Sequence, residues 1–356
     1  MSNSIEQTLH DLLKNLLKSG KVSAVFSLRK INEGGSVDYG LITDIEKLTE
    51  IAPLHPLMPA NAGQLLGRFT PMKKPVAAVI RPCEYRAFVE LAKREQGQMD
   101  NFLFITFSCG GVFKLKDNAE DKVKNKLDGY WKAVKNSEIS DDIRPTCKAC
   151  EYIEPFDSDI YVSLVGEENG KIYLNSEKAK NLLEDSEFNF EKDKFDPAIL
   201  NDLLKKRAVE KAELYASVDT SKTGLDGLIN IFGRCIGCHG CNAVCPICYC
   251  TLCDFESFNY DYNTPILEKE LAEKGALRLP PDTLFFHLGR LSHMSFSCVG
   301  CGMCSDVCPA LIPVAAVFEK TGEETAGMFD YVPGRKLDED IPVMIYKEEE
   351  FPELGE

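Results

Sequence analysis

The 356-residue chain predicts a mixed α+β and α/β architecture. An N-terminal α/β domain with a mostly parallel or mixed sheet is followed by a mainly helical, cysteine-rich domain. Three observations carry that expectation. Short apolar runs alternate with helix-period segments over residues 1–176. Residues 177–224 are polar and rich in Lys and Glu, and read as a helical connector. Eleven of the 15 cysteines then fall between Cys235 and Cys308.

Each element follows from its pattern. Ile5 to Leu17 carries Leu9, Leu12, Leu13, Leu16 and Leu17 at helical spacing, and Val22 to Leu28 reads as a strand. Gly34-Gly35 lies in a polar loop and reads as a turn. Val76 to Ile80 is a short buried strand; Arg81-Pro82-Cys83 turns the chain, and Glu84 to Arg94 resumes a helix. Phe102 to Phe107 is a further strand, ending at Ser108-Cys109-Gly110-Gly111. Ala119 to Val134 reads as one charged amphipathic helix. Ile160 to Val165 and Lys171 to Asn175 flank Glu167-Glu168-Asn169-Gly170 as a hairpin would. The cysteine-rich domain spans 225–320, with Thr283 to Met294 helical inside its insert. A tail covers 321–356, and its stretch from Lys336 to Glu356 has eight acidic and two basic residues. Such a run reads as a solvated extension.

Charge and composition exclude several classes. Lys and Arg total 41 against 56 Asp and Glu, a net charge of −15, which argues against a nucleic-acid surface. No apolar run reaches the roughly 18 residues of a membrane helix, and no signal peptide is evident, so a cytoplasmic protein without a membrane span is expected. Reducing compartments keep thiols reduced, so the cysteines point to metal rather than disulfides.

Their spacing names the metal. Cys235-x2-Cys238-x2-Cys241-x3-Cys245-Pro246 is followed by Cys298-x2-Cys301-x2-Cys304-x3-Cys308-Pro309. Each run is the bacterial-ferredoxin pattern, in which three thiolates hold one cubane and the fourth ligates the other. The two-residue gaps let a tight loop point three sulfurs at one cluster, and the three-residue step turns the next one away. One 4Fe-4S cluster is therefore assigned to Cys235, Cys238, Cys241 and Cys308, and a second to Cys298, Cys301, Cys304 and Cys245. Zinc also uses C-x2-C knuckles, but it pairs two of them rather than repeating three cysteines and a Cys-Pro. The long insert makes the module similar to α-helical dicluster ferredoxins.

Cys83 and Cys109 each follow an expected strand, and Cys147-x2-Cys150 supplies a pair. Four thiols gathered at one sheet edge could hold a third cubane, or Cys83 and Cys109 could be buried small apolar groups. Cys248, Cys250 and Cys253 extend the first run. They read either as a further cluster, completed by His239, Asp254 or a partner chain, as substitute ligands for the neighbouring cluster, or as packed thiols.

Other residues are less telling. His10 and His55 read as surface or core residues, and His287 and His293 lie on the helix before Cys298. His239 reads as a contact that tunes the first cluster. Arg81 and Arg86 flank Cys83 either as surface ion pairs or as binders of a cofactor phosphate. No phosphate loop and no strand followed by G-x-G-x-x-G marks a nucleotide site, and no catalytic residue can be named.

At these residues a resemblance emerges. Lys74 to Glu84, with Pro82-Cys83 after its strand, resembles an element of the coenzyme F-420 hydrogenase and formate dehydrogenase β-subunit family. Phe107-Ser108-Cys109-Gly110-Gly111 is similar to that family's strand ending in cysteine. Arg144-Pro145-Thr146-Cys147-Lys148-Ala149-Cys150, with Asp159-Ile160-Tyr161-Val162 after it, resembles its C-x2-C and following strand. The resemblance covers roughly residues 70–170. It implies that Cys83, Cys109, Cys147 and Cys150 hold a third 4Fe-4S cluster. It also implies FAD beside the clusters, although the N-terminal stretch lacks the family's glycine pair and no FAD ligand is assignable.

The expected function is an iron–sulfur electron-transfer subunit of an anaerobic redox complex. It would relay electrons between a formate dehydrogenase or hydrogenase catalytic subunit and a heterodisulfide-reductase-like flavoprotein or other acceptor. The alternatives are a self-sufficient FAD-dependent oxidoreductase using reduced deazaflavin or NAD(P)H, and a zinc-stabilised interaction module.

Overall fold

The computed structural model describes residues 3–31, 35–119, 123–257 and 263–345. Its strands are β1 (Ala24–Lys30), β2 (Val37–Ile42), β3 (Val76–Val79), β4 (Phe102–Phe107), β5 (Ile160–Ser163) and β6 (Lys171–Leu174). They form one sheet in the order β2-β1-β3-β4-β5-β6. The four inner strands are parallel, and β2 and β6 are antiparallel edges. A mixed sheet followed by a helical C-terminal part is the fold class expected.

β3 and β4 are buried along their whole length, which is why they read as continuous apolar runs. Alternate residues feed two cores. Val25, Ala77, Leu103 and Ile105 face the helix Asn3–Lys18 through Leu9, Leu12, Leu13 and Leu16. Phe26, Ala78, Phe102 and Phe104 pack with Tyr85 and Phe88 of the helix Pro82–Ala92. Burying Phe88 completely contributes about 1.5–3 kcal/mol. The Pro82–Ala92 helix starts where it does because Pro82 suits a first turn and the Glu84 carboxylate accepts the Arg81 backbone N–H at 2.8 Å.

Three features differ from expectation. β2 was not foreseen; Gly40 within it leaves room for Arg29, whose Cδ an added Cβ would meet at 2.9 Å, while Arg29 pairs with Asp38. The single helix expected over 119–134 is instead Leu115–Ala119, a turn at Lys124–Lys126 and a helix Leu127–Lys135. Lys126 holds this folded arrangement by pairing with Asp117 at 3.2 Å and Asp142 at 3.0 Å.

The third difference concerns the tail. The helix Val314–Gly327 runs through residue 321, and Tyr331 and Ile341 beyond it are buried with Phe296 and Ala326. Glu90, fully buried on the Pro82–Ala92 helix, accepts from the Gly334 N–H at 2.8 Å and from the Tyr331 hydroxyl. Arg86 donates to Pro333 O at 2.8 Å. The segment therefore clamps the first domain through Tyr331, Pro333 and Gly334, because buried charges on that helix need partners, whereas most of residues 336–340 are exposed. The rest of the acidic run, from residue 346, lies outside the described residues.

The connector contains the helices Glu177–Leu183 and Asn201–Ser217. Beyond it, Gly224–Phe232, Thr283–Met294 and Val314–Gly327 surround a core of Phe232, Ile312, Val314 and Phe318. Among the described residues, no helix is long and apolar enough to cross a membrane.

Candidate metal centres

Parallel strands aim their carboxyl ends at one edge, where ligands usually bind in α/β folds. There Cys83 begins the Pro82–Ala92 helix after β3, and Cys109 follows β4. Cys147 sits on the short helix Pro145–Lys148, and Cys150 lies just after it. Gly111, at φ +108°, brings its loop so close that an added Cβ would stand 3.1 Å from Cys147 Cβ. Its N–H donates to Cys109 Sγ at 3.4 Å. Burial raises all four thiol pKa values, to about 11 for Cys150. Neighbouring sulfurs raise them further: Cys109 and Cys150 act on Cys83, Cys150 on Cys109, Cys109 on Cys147, and Cys147 on Cys150.

Buried arginines hold these loops. Arg207 donates to Cys150 O and Gly110 O, each at 3.0 Å, and to Cys109 O at 3.3 Å. Arg81 and Arg86 are not at the surface. Arg81 pairs with buried Glu84 and donates to His55 O and to Leu57 O, the latter at 2.7 Å. Arg86 bonds Pro333 O and Val299 O and lies 4.0 Å over the Tyr152 ring. Both brace backbone carbonyls.

The second group surrounds Cys235, which follows the Gly224–Phe232 helix. Gly237, at φ +66°, donates its N–H to Cys235 Sγ at 3.4 Å, and Ile312 N–H donates to Cys308 Sγ at 3.5 Å. Burial pushes Cys241 up to about 11, and the sulfurs of Cys235, Cys308 and Cys238 add to the rise. Cys308, from the other run, is thus near enough to act on the Cys241 thiol alongside Cys235 and Cys238. His287 Nε2 lies 3.4 Å from Cys235 Sγ, its ring stacked on Phe232 at 4.2 Å. His239 turns away to Glu256 at 2.8 Å and stacks on Phe286. Of the remaining histidines, His10 bonds Leu48 O, and burial pushes the His55 pKa down to about 4.

A cavity marks the third group. Cys245, Cys298, Cys301 and Cys304 line it together, with Pro246, Met294, Arg290 and Phe318 among the other walls. Burial raises Cys298, Cys301 and Cys304. Cys245 is lowered by a hydrogen bond from Cys248, by Arg290, and by the N–H groups of Ile247 and Cys248. Among the described residues, no three His, Cys, Asp or Glu side chains converge tightly enough to share one metal ion. All-sulfur donor sets, amides aimed at sulfur and one cavity walled by four cysteines fit cubanes.

Cys83 and Cys147 pack with Cys301 around Met58, Val112 and Met303, so the first-domain group adjoins the cavity group. Arg290 spans the cavity group and the Cys235 group, its Nη1 3.2 Å from Cys241 Sγ. The three groups are consecutive neighbours. Of the extra thiols, Cys248 lies against Cys245 and Arg290, the latter at 3.7 Å, whereas Cys250 is exposed and Cys253 precedes the turn Asp254–Glu256 without a side-chain hydrogen bond to it.

His287 and Arg290 went unrecognised as neighbours of the sulfurs. Their spacing on the Thr283–Met294 helix, three residues apart on one face beside Phe286, was the available signal.

A family model described as a 4Fe-4S dicluster domain matches residues 230–312. The F420-dependent formate dehydrogenase subunit beta of Methanocaldococcus jannaschii is 30% identical over 93% of this chain and 92% of its own length. The F420-dependent formate dehydrogenase 1 subunit beta of Methanococcus maripaludis is 32% identical over 93% of this chain and 90% of its own.

Proposed function

The chain belongs to the family of these formate dehydrogenase beta subunits, an iron–sulfur electron-transfer family, and from that premise we propose that it relays electrons through three adjacent 4Fe-4S clusters. Cys83, Cys109, Cys147 and Cys150 would hold the first, within residues 1–176. Cys298, Cys301, Cys304 and Cys245 would hold the middle one, and Cys235, Cys238, Cys241 and Cys308 the last, both within 225–320. The cavity walled by Cys245 and three cysteines of the other run is the observation that carries this reading.

Bound clusters would supply one-electron storage at each station. The protein's residues set the order and the environment. Met58, Val112 and Met303 pack the first station against the middle one. Amides of Gly111, Gly237 and Ile312 donate to ligand sulfurs, which favours the reduced, more negative state. The outer partners in this reading are a formate dehydrogenase or hydrogenase catalytic subunit on one side and a heterodisulfide-reductase-like flavoprotein on the other.

Iron, acid-labile sulfide and flavin analysis of anaerobically purified chain tests the proposal. About twelve iron atoms per chain are expected, four for each cubane. About eight would remove the first station, and zinc without sulfide would sink the whole reading. Stoichiometric flavin, with reduction by free deazaflavin or NAD(P)H, would favour the self-sufficient flavoenzyme.

A further inference from the structure

Arg290 is 3% exposed on the Thr283–Met294 helix. Its Nη1 donates to Cys241 Sγ at 3.2 Å, and its Nη2 donates to Cys241 O at 3.1 Å and stands 3.7 Å from Cys248 Sγ. The same side chain walls the cavity of Cys245, Cys298, Cys301 and Cys304. Its guanidinium lies 5.5 Å from the Phe286 ring centre and 5.1 Å from that of Phe318. Among the described residues no carboxylate pairs with it, and its buried Nε has no hydrogen-bond partner. A buried cation without a counter-ion is costly unless negative charge lies close by. The sulfurs acting on it are those of Cys241 from one set, Cys245 and Cys304 from the other, and Cys248 between them in sequence from neither.

We propose that Arg290 is the common counter-cation of the two C-terminal clusters and raises the reduction potential of both. The inference rests on the cluster reading given above. Reduction of either cluster adds one electron and takes no proton from Arg290, whose guanidinium stays protonated throughout. The added negative charge is stabilised by a fixed positive charge in a medium that screens poorly. A single side chain acting on both stations shifts them together, so that neither becomes a trap relative to the other. Arg suits the position because its planar fork presents donors to acceptors in two directions, which a lysine ammonium cannot do from one point.

The test is a reductive titration, followed by electron paramagnetic resonance, of the anaerobic full-length chain carrying Arg290→Met, with iron and sulfide counted first. In iron-replete Arg290→Met, two of the three potentials fall and the third, that of the Cys83 set, stays. At a fixed potential the reduced-to-oxidised ratio of each affected cluster drops about tenfold, which is 59 mV for a one-electron couple. Two unmoved potentials, or one moved alone, would overturn the shared role. If Arg290→Met does not retain iron, Arg290→Lys decides: a point charge in place of the fork lowers at least one of the two potentials, and two wild-type potentials overturn the proposal. A wild-type chain that lacks iron defeats the cluster reading itself, whereas iron-replete variants with unchanged potentials defeat only this inference.

Discussion

Arg144 and Asp306 form a buried ion pair, Nε to Oδ2 at 2.8 Å, that ties the short helix bearing Cys147 to the turn between Cys304 and Cys308. The same arginine donates to Cys301 O at 3.3 Å and to Met58 O at 3.1 Å. Asp306 in turn accepts the Leu115 N–H at 2.8 Å. One pair thus ties the Cys147 loop to the loop that carries Cys301, Cys304 and Cys308. Replacing one partner leaves the other charge buried and alone, which costs about 3–5 kcal/mol. Asp306→Asn and Arg144→Met should each lower the thermal unfolding midpoint of the anaerobic holoprotein. An unchanged midpoint in both would show that the pair does not hold the two units together.

Arg207 joins three carbonyls of the Cys109 and Cys150 loops from the Asn201–Ser217 helix. The Cys109 N–H also donates to Ile153 O at 2.7 Å, and the guanidinium adds three further bonds that hold the two loops together. Arg207→Met should release about four iron atoms per chain, one cubane's content, and leave the other two clusters in place. Full iron content in this variant would contradict that positioning role.

Glu319 is buried against Gly300, whose missing side chain makes room for it: an added Cβ would stand 2.7 Å from Oε1. Burial, and then Glu323, push its pKa up to about 8 from the ordinary value of 4.5. The folded state therefore keeps a proton that the unfolded state releases above about pH 4.5. That contribution to stability is fully present below pH 4.5 and is lost as pH rises towards 8, by at most about 1.4 kcal/mol per pH unit. Denaturant melts across this window should show the decline, and Glu319→Gln should flatten it. A wild-type profile that rises from pH 5 to 8 by an amount unaffected by Glu319→Gln would refute the assignment.

The legible parts of the molecule are those written in local pattern. β3 and β4 announce themselves because strands buried on both faces must be apolar throughout. The Cys235 and Cys298 runs announce themselves because cubane loops impose a fixed spacing. The edge strand β2 did not, since Val37–Ile42 is half polar and its pairing depends on Arg29 finding room at Gly40. The packed segment around Tyr331 was hidden by its acidic neighbours; the buried Glu90, 241 positions away in sequence, and Arg86 beside it explain why it docks. Arg290 and His287 were legible only as neighbours on one helix face. A helix shows which of its residues share a face, but not which sulfurs that face will meet.

Cys248 offers a last discriminating case. It hydrogen-bonds Cys245, and its backbone N–H donates to Cys245 O at 3.1 Å, so its thiol lies beside the cavity that Cys245 lines. The hydrogen bond to Cys245 and burial hold its thiol well above the ordinary range, and Arg290 at 3.7 Å opposes that rise. When Cys245 is removed, Cys248 is positioned to take its place as fourth ligand. Cys245→Ala alone should therefore keep nearly all its iron, while Cys245→Ala with Cys248→Ala should lose about four atoms, one cubane's worth. Removing Cys308 has no such relief, because the residues after it are Pro309, Ala310 and Leu311. Cys308→Ala should lose iron from the Cys235 cluster alone, and equal losses from the two single variants would show that Cys248 does not substitute.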